Sequence, residues 1–210
     1  MVGLLAVVAV IVWLVTQSGA TVVSQTRALA PFSAGELAGA NVVTVHVGAA
    51  QSVVVHARQS ELQLITTDVR AGTLVIANAP TRQPTEGPMS VSVTVPSLQS
   101  LAIASGGSGV VNVTGIRAPS LTVSLGGGGL LNASGTATRL NVSVAGSGDV
   151  ELGQLVAREV SATVSGDGQI AVVATRSLEA SITGNGAIRY TGNPPHLTTS
   201  VTGSGAIIPG

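Results

Sequence analysis

The chain has 210 residues, with nine Lys or Arg side chains balanced by nine Asp or Glu, so no net charge directs it to nucleic acid or to an anionic membrane surface. It contains no cysteine, which excludes disulfides, thiolate metal sites and cysteine catalysis. Only 1% of the residues are aromatic and 9% are charged, so the core must be built from aliphatic side chains. Such small and β-branched side chains favour strands, and we expect almost no helix after the first residues.

The chain begins with a continuous apolar run, MVGLLAVVAVIVWLV. Fourteen such residues in a helix span roughly 21 Å, which is shorter than the ~30 Å hydrocarbon core and suits the apolar region of a secretory signal. Ser18 and Ala20 offer small side chains for cleavage before Thr21. Because no Lys or Arg precedes the run, a retained membrane anchor, a start further upstream and a buried N-terminal segment stay open as alternatives. We predict an exported protein with a signal peptide or N-terminal membrane anchor over 1–20 and a linker over 21–30.

Residues 31–97 alternate apolar and polar side chains without a fixed glycine period. The stretch from Asn41 to Ala57 predicts a hairpin that turns at residues 48–51. A second strand pair is predicted to turn at Arg70–Gly72, and a polar loop is predicted from Arg82 to Pro88 before the strand-like MSVSVTVP. We expect this N-terminal β segment to form either the first, irregular turns of the repeat that follows or a cap over its apolar end.

Residues 98–210 contain six copies of a motif with two glycines. Each copy opens with alternating apolar residues such as Leu140, Val142 and Val144, and its first glycine stands six residues after the start. A second glycine comes two residues later, and an aliphatic residue returns two residues beyond it. The copies start at Leu101, Leu121, Leu140, Val160, Leu178 and Leu197, at spacings of 20, 19, 20, 18 and 19 residues.

A repeat of strand, glycine corner and strand with this period is typical of a β-solenoid. One turn, here called a rung, is too small to bury its own apolar face, so rungs stack and their strands pair in parallel about 4.8 Å apart. We predict an all-β fold, a right-handed single-stranded β-helix or solenoid with rungs of about 19 residues, six of them over 98–210. The right-handed sense rests on the general preference of parallel crossover connections.

Several stretches together resemble the head GIN domain family of bacterial exported proteins, which carries an auto-transporter adhesin label. They are PFSAGELAGANVVTVHVG and GTLVIANA, then VSVTVPSLQSLAIASGGSG, and finally the serial corners GSGDV, GDGQI, GNGAI and GSGAI. The likeness covers roughly residues 31–210. Two places depart from the pattern, namely the four glycines of LGGGGLL and Ser105, which stands where Leu125 and Val144 would bury a side chain. The resemblance implies a β-helical protein exposed in the cell envelope, with an adhesin-like role.

The Gly-x-Gly motifs invite a phosphate or calcium interpretation, and both are weak. A dinucleotide-binding loop opens a helix after a strand, whereas Glu151 and Arg189 follow their corners without a helical pattern. Calcium-binding β-rolls need a carboxylate at the same place in successive turns. Here Asp149 holds that place in one rung of six, and Asp167 of the adjacent rung is displaced by two positions, so solvated corner residues are favoured over a shared ion.

Candidate catalytic groups are equally sparse. His46 and His56 alternate with valines, which places them on the polar face of strands. Glu151 with Glu179 or Asp167 could imitate the carboxylate pair of a glycosidase, but such sites need aromatic side chains and a cleft. We therefore predict no catalytic, cofactor-binding or metal-binding residues, no cofactor and no enzymatic activity, and a carbohydrate-active enzyme ranks third among the functions.

Two functions from different classes remain. The first is an adhesin-like interaction module at the cell surface or in the envelope, which displays Ser-, Thr- and Asn-rich faces to an unknown protein or carbohydrate partner. The second is a periplasmic structural or sensory domain tethered to the membrane by residues 2–15. We also expect the last rung, which ends in Ile207 and Ile208, to pack against something, which makes self-association another expectation.

Overall fold

The computed structural model describes residues 22–48, 50–79, 89–104 and 107–210, and the regular structure in these ranges is β-strand apart from one 3-10 turn at Leu62–Leu64. The predicted leader, the loop from Arg82 to Pro88 and Ser105 lie outside the described residues. No helix in these ranges is long and apolar enough to cross a bilayer. The strands are β1 (Val22–Thr26), β2 (Ala34–Ala38), β3 (Val42–Val47), β4 (Ser52–Arg58), β5 (Ile65–Arg70), β6 (Thr73–Asn78), β7 (Ser90–Val95), β8 (Ser100–Ile103), β9 (Val110–Leu125), β10 (Leu130–Gly146), β11 (Asp149–Gly166), β12 (Gln169–Gly184), β13 (Ala187–Thr191), β14 (His196–Gly203) and β15 (Ala206–Pro209).

The C-terminal half is a stack of parallel rungs. Each of β9 to β12 runs from one glycine corner to the next, and each pairs in parallel with its neighbours. Leu140, for example, lies between Leu121 of the preceding rung and Val160 of the following one. The six predicted corners thus delimit a solenoid of about five turns. The predicted all-β solenoid with parallel, stacked strands is confirmed.

The core lies inside the rungs because alternate residues of every strand point inward. Val123, Val144 and Val164 are at most 1% exposed, and so is Ile182 in the next rung. Burying a side chain of this size stabilises the fold by roughly 1.5–3 kcal/mol. Stacked columns of Val, Leu, Ile and Ala therefore replace the aromatic residues that the sequence lacks.

The corners require glycine for two distinct reasons. Gly166 has φ +123°, and a Cβ atom there would lie 2.7 Å from the carbonyl oxygen of Gly146 in the rung before it. Gly168 has no unusual φ, but its Cβ atom would lie 2.6 Å from the carbonyl oxygen of Gly148. These two carbonyl groups accept hydrogen bonds from the backbone N–H groups of Asp167, at 3.0 Å, and Gln169, at 3.2 Å. The glycines therefore let successive corners stack in direct backbone contact, as the sequence predicts.

The N-terminal strands contribute two further rungs, and these are interleaved. β2 and β3 flank the corner Gly39–Asn41 and stack in parallel on β8 and on the start of β9. β6 and β7 stack in parallel on the other side of β2 and β3. The rung to which β6 and β7 contribute therefore lies outside the rung of β2 and β3, although it comes later in the chain.

Antiparallel strands cover the outer rung. β5 pairs antiparallel with β6, while β4 pairs antiparallel with β7 and β1 with β4. The strand pair predicted to turn at Arg70–Gly72 is confirmed, with Ala71 at φ 48° and Gly72 at φ 76°.

The hairpin predicted from Asn41 to Ala57 is wrong. β7 lies between β3 and β4, and it pairs in parallel with the first and antiparallel with the second. The reason is that β7 has the same alternation of inward valines as β3, so it fits the parallel stack that β3 begins. The local alternation and the turn residues predict that β3 and β4 are strands. They do not predict which strand pairs with each of them.

Candidate functional site: the polar faces of the solenoid

The strands that lead into the corners carry a regular array of polar side chains, which we call the hydroxyl face. In β9 to β12 its members alternate with buried core residues and point away from the core, whereas in β14 their neighbours are exposed as well. All members are exposed or half-buried. Members of successive rungs are directly paired, which aligns them in two columns. The columns are Thr122, Asn141, Ser161, Glu179 and Thr198, and Ser124, Ser143, Thr163, Ser181 and Ser200.

The parallel register sets the geometry of this face. Neighbouring members of a column are separated by one strand spacing, about 4.8 Å. Ser143 donates a hydrogen bond to the hydroxyl of Ser124 at 3.3 Å, so hydroxyl groups of adjacent rungs lie within direct reach of each other. Short side chains on a rigid sheet lose little entropy when a partner binds. The face therefore offers a fixed lattice of donors and acceptors.

Few charged groups lie near this face, and two of them form an ion pair. Arg176 donates to Glu159 at 3.1 Å, and both side chains remain partly exposed. At the N-terminal side, the hydrogen bond from Arg70 Nε to Asp68, at 2.8 Å, lowers the pKa of the Asp68 carboxyl, while desolvation acts in the opposite direction. Both pairs are exposed ion pairs of the kind that contributes little to stability.

The corner carboxylates do not converge. Asp167 accepts a hydrogen bond from the Asn185 side chain of the next rung at 2.9 Å. Asp149 begins β11 and pairs with Gln169, not with another carboxylate. Within the described ranges, no group of three or more His, Cys, Asp or Glu side chains could hold a metal ion. The Asp167–Asn185 bond is an inter-rung contact between solvated corner residues.

The glutamates that could imitate a glycosidase pair lie on different strand columns. Glu151 is aligned with Asn132 and Ala171, on the strands that leave the corners. Glu179 is aligned with Ser161 on the strands that enter them. The register thus separates the two carboxylates by a corner, and nothing in it brings them face to face.

His46 and His56 lie at outward-facing positions of the N-terminal strands, as the sequence predicts. His56 hydrogen-bonds through Nδ1 to the hydroxyl of Ser24 at 2.8 Å and through Nε2 to that of Ser92 at 3.2 Å. His46 Nδ1 lies 3.2 Å from the hydroxyl of Thr114 in the next rung. Each histidine thus links neighbouring strands across the outer surface.

Sequence reasoning missed the buried amide pair at the first corner. Asn41 is completely buried, and its side chain exchanges hydrogen bonds of 3.0 and 3.1 Å with the side chain of Asn78. Asn78 also accepts a hydrogen bond from the backbone N–H of Ala40 at 3.2 Å. Asn41 stands where later corners have their second glycine, since Val110 donates to its carbonyl at 3.1 Å. The sequence Gly39–Asn41, which reads GAN where later rungs have GxG, was the signal that could have revealed this corner.

A family model described as "Putative auto-transporter adhesin, head GIN domain" matches residues 31–194. The chain belongs to the head GIN domain family. The match includes the interleaved N-terminal rungs and most of the regular ones, so this head GIN domain carries the family pattern across both parts of the fold. The resemblance seen in the sequence is confirmed.

Solved structures share the fold of this head GIN domain. A protein named as a putative adhesin from Bacteroides fragilis superimposes with a TM-score of 0.75 at 22% identity, covering 90% of this chain and 96% of the other. A putative lipid binding protein from Parabacteroides distasonis, at 20% identity, and a putative adhesin from Parabacteroides merdae, at 14% identity, each give a TM-score of 0.53 over 90% of this chain and 96% of theirs. None of the curated proteins matches this chain significantly.

Proposed function

We propose that this head GIN domain is a non-enzymatic, exported interaction module that works at the cell surface or in the envelope in the manner of an adhesin. The observation that carries the proposal is the hydroxyl face, an array of donors and acceptors in two columns over five rungs, of whose ten members Glu179 alone is charged. Membership of a family named for adhesins supports it, as do the structural neighbours that bear the same name.

Rigidity is the physical reason why a solenoid suits this role. Each rung is fixed by the ladder hydrogen bonds and by buried side chains on both sides, so the polar groups keep their spacing without a bound partner. Binding of a partner then loses little entropy through ordering of the surface, which compensates for the modest strength of each neutral hydrogen bond. An envelope partner with its own repeated polar groups would match such a face best.

The location is tested by brief protease treatment of intact host cells, followed by mass spectrometry of peptides from this chain. We expect peptides of the solenoid to be released from intact cells, with a mature N-terminus near Thr21. A periplasmic and a cytoplasmic protein of the same cells serve as controls for envelope integrity. Protection of the chain until the envelope is opened, with residues 2–15 still attached, would replace the surface role by that of a membrane-tethered periplasmic structural or sensory domain.

A further inference from the structure

A groove crosses the strands that leave the corners, on the other side of the corner from the hydroxyl face. It has a volume of about 470 Å³, and residues of three successive rungs line it. Asn112, Asn132 and Glu151 are paired in register and form one column of its floor. The further polar lining consists of Thr114, Ser134 and Gln154.

Unequal rung lengths create the concavity. Between matched positions, β9 has two residues, Thr114 and Gly115, where β10 has only Ser134. β11 likewise has Leu152 and Gly153 opposite the single residue Ala133 of β10. The middle rung is therefore shorter than both neighbours at this point, and the ladder register breaks on either side of it. Such bulges bend strands and are common beside binding sites.

Gly153 is one of the two residues of the β11 bulge and carries a second observation. Its φ lies outside the left-handed region, and a Cβ atom there would meet nothing within 4 Å, so neither the backbone nor the packing requires glycine. Unlike the corner glycines, it lines an open wall of the groove. Glycine inside a strand commonly marks a place where a ligand approaches closely. A side chain added at this position would stand at the groove wall.

We propose that this groove binds a neutral, hydroxyl-rich chain, that is, a segment of an uncharged oligosaccharide. The inference rests on the proposed interaction function and names the class of partner for one of its surfaces. The three rungs extend over roughly 10 Å, which suits a short stretch of linked sugar rings.

The lining suits this class of ligand through hydrogen bonds alone, since no aromatic side chain among the described residues lines the groove to stack on a sugar ring. Asn132 donates one hydrogen bond to Asn112 at 2.9 Å, and each amide keeps further donor or acceptor capacity for a ligand. Glu151 is the single charged side chain of the lining, and as an acceptor it suits hydroxyl groups and disfavours a polyanion such as nucleic acid.

The test measures binding of linear hexasaccharides to the full chain, purified in a detergent without a sugar headgroup. The probes are the neutral hexamers of α-1,4-glucose, β-1,4-glucose, β-1,4-xylose, β-1,4-mannose and N-acetylglucosamine, each examined by saturation-transfer NMR and then by calorimetry. We expect at least one to bind. The absence of binding for all five hexamers would overturn the proposal.

Two glycine variants locate the site. Gly153→Gln fills the groove and should weaken binding by roughly tenfold or more, the equivalent of at least one lost hydrogen bond. Gly128→Gln is the matched control, because Gly128 is exposed at a corner outside the groove and a Cβ atom there would come no closer than 3.7 Å to any neighbour. Neither change should alter the unfolding temperature, so a loss of binding cannot be attributed to misfolding.

Equal binding by the two variants would show that the sugar lies elsewhere and would refute the site. Glu151→Gln gives a third readout, since it removes the charge while keeping the shape and should weaken binding less than Gly153→Gln does. Because the binding assay uses purified protein, it is independent of the cell-surface test. Sugar binding in the groove together with protection in intact cells would uphold the site and refute the surface location.

Discussion

The stacked corners leave no space for a side chain at Gly168. Its φ is compatible with any residue, but a Cβ atom would lie 2.5 Å from Val144 Cγ1 and 2.6 Å from the carbonyl oxygen of Gly148. The backbone oxygen cannot move away without breaking the 3.2 Å hydrogen bond that it accepts from Gln169. Gly168→Ala should therefore destabilise the solenoid by sterics alone, without any contribution from backbone strain.

The magnitude follows from two opposing effects. Overpacking a rigid site costs roughly 1–3 kcal/mol. Restriction of the unfolded chain by the new methyl group offsets about 0.4–1 kcal/mol of that. A net loss of about 1–2 kcal/mol corresponds to a decrease in Tm of roughly 2–8 °C for a chain of this size, since each kcal/mol shifts Tm by about 2–4 °C.

Thermal unfolding followed by circular dichroism measures the effect, and the same chain offers a matched control. At Gly128 an added Cβ atom would lie 3.7 Å from the nearest neighbour, the Ser147 hydroxyl, and φ is again ordinary. Gly128→Ala should leave Tm unchanged or raise it slightly. If both variants unfold at the same temperature, the reasoning from backbone contact between corners is refuted.

Three further results are expected. Leu155→Ala, at a position that is fully buried, should cost about 2–5 kcal/mol in urea-induced unfolding, and a smaller loss would mean that the rungs relax to fill the cavity. Asn78→Ala leaves the buried Asn41 amide without its partner and should cost roughly 1–3 kcal/mol, whereas an unchanged urea midpoint would show that water replaces the bond. Self-association through the last rung stays a prediction, and Val201→Lys in that rung should reduce the sedimentation coefficient at high concentration. Val156→Lys is the control and should not reduce it, since Val156 is 45% exposed and Val201 is 44% exposed. A wild-type chain that sediments as a monomer would contradict the prediction.

The regular part of this fold could be predicted from the sequence because each rung repeats the same pattern of alternating apolar residues and corner glycines. Alternation as in Leu140, Val142 and Val144 gives one buried face, and a glycine at a fixed distance gives the corner. Stacking is then the single arrangement that buries every such face. No tertiary information beyond the period was needed.

The N-terminal part was harder to predict because the pairing of its strands is set by tertiary packing and not by a sequence repeat. The valines of β3 and β4 suit a hairpin as well as they suit two strands separated by β7. The corner at Gly39–Asn41 was missed because Asn41 replaces the second glycine and a side-chain bond to Asn78 stabilises it.

The polar columns of the hydroxyl face follow from the predicted alternation, but the groove does not. It depends on extra residues in β9 and β11 relative to β10, and an alignment on the glycines hides where within a rung the extra residue lies. The unequal spacings of 20, 19, 20, 18 and 19 residues were the only sign of it.

Interleaving of the first rungs has a consequence for how the chain acquires its structure during synthesis. Strands β2 and β3 are held between β6 and β7 on one side and β8 and the start of β9 on the other, so their final neighbours do not exist until more than half of the chain has emerged. The later rungs each add to an edge that is already complete, and they can follow in order. In a chain synthesised from its N-terminus, β2 and β3 therefore lack their final hydrogen-bonding partners at first. Once those strands have paired, each later rung can add to the preceding one in order. Pauses or chaperone contacts should matter most before residue 114 and least after it.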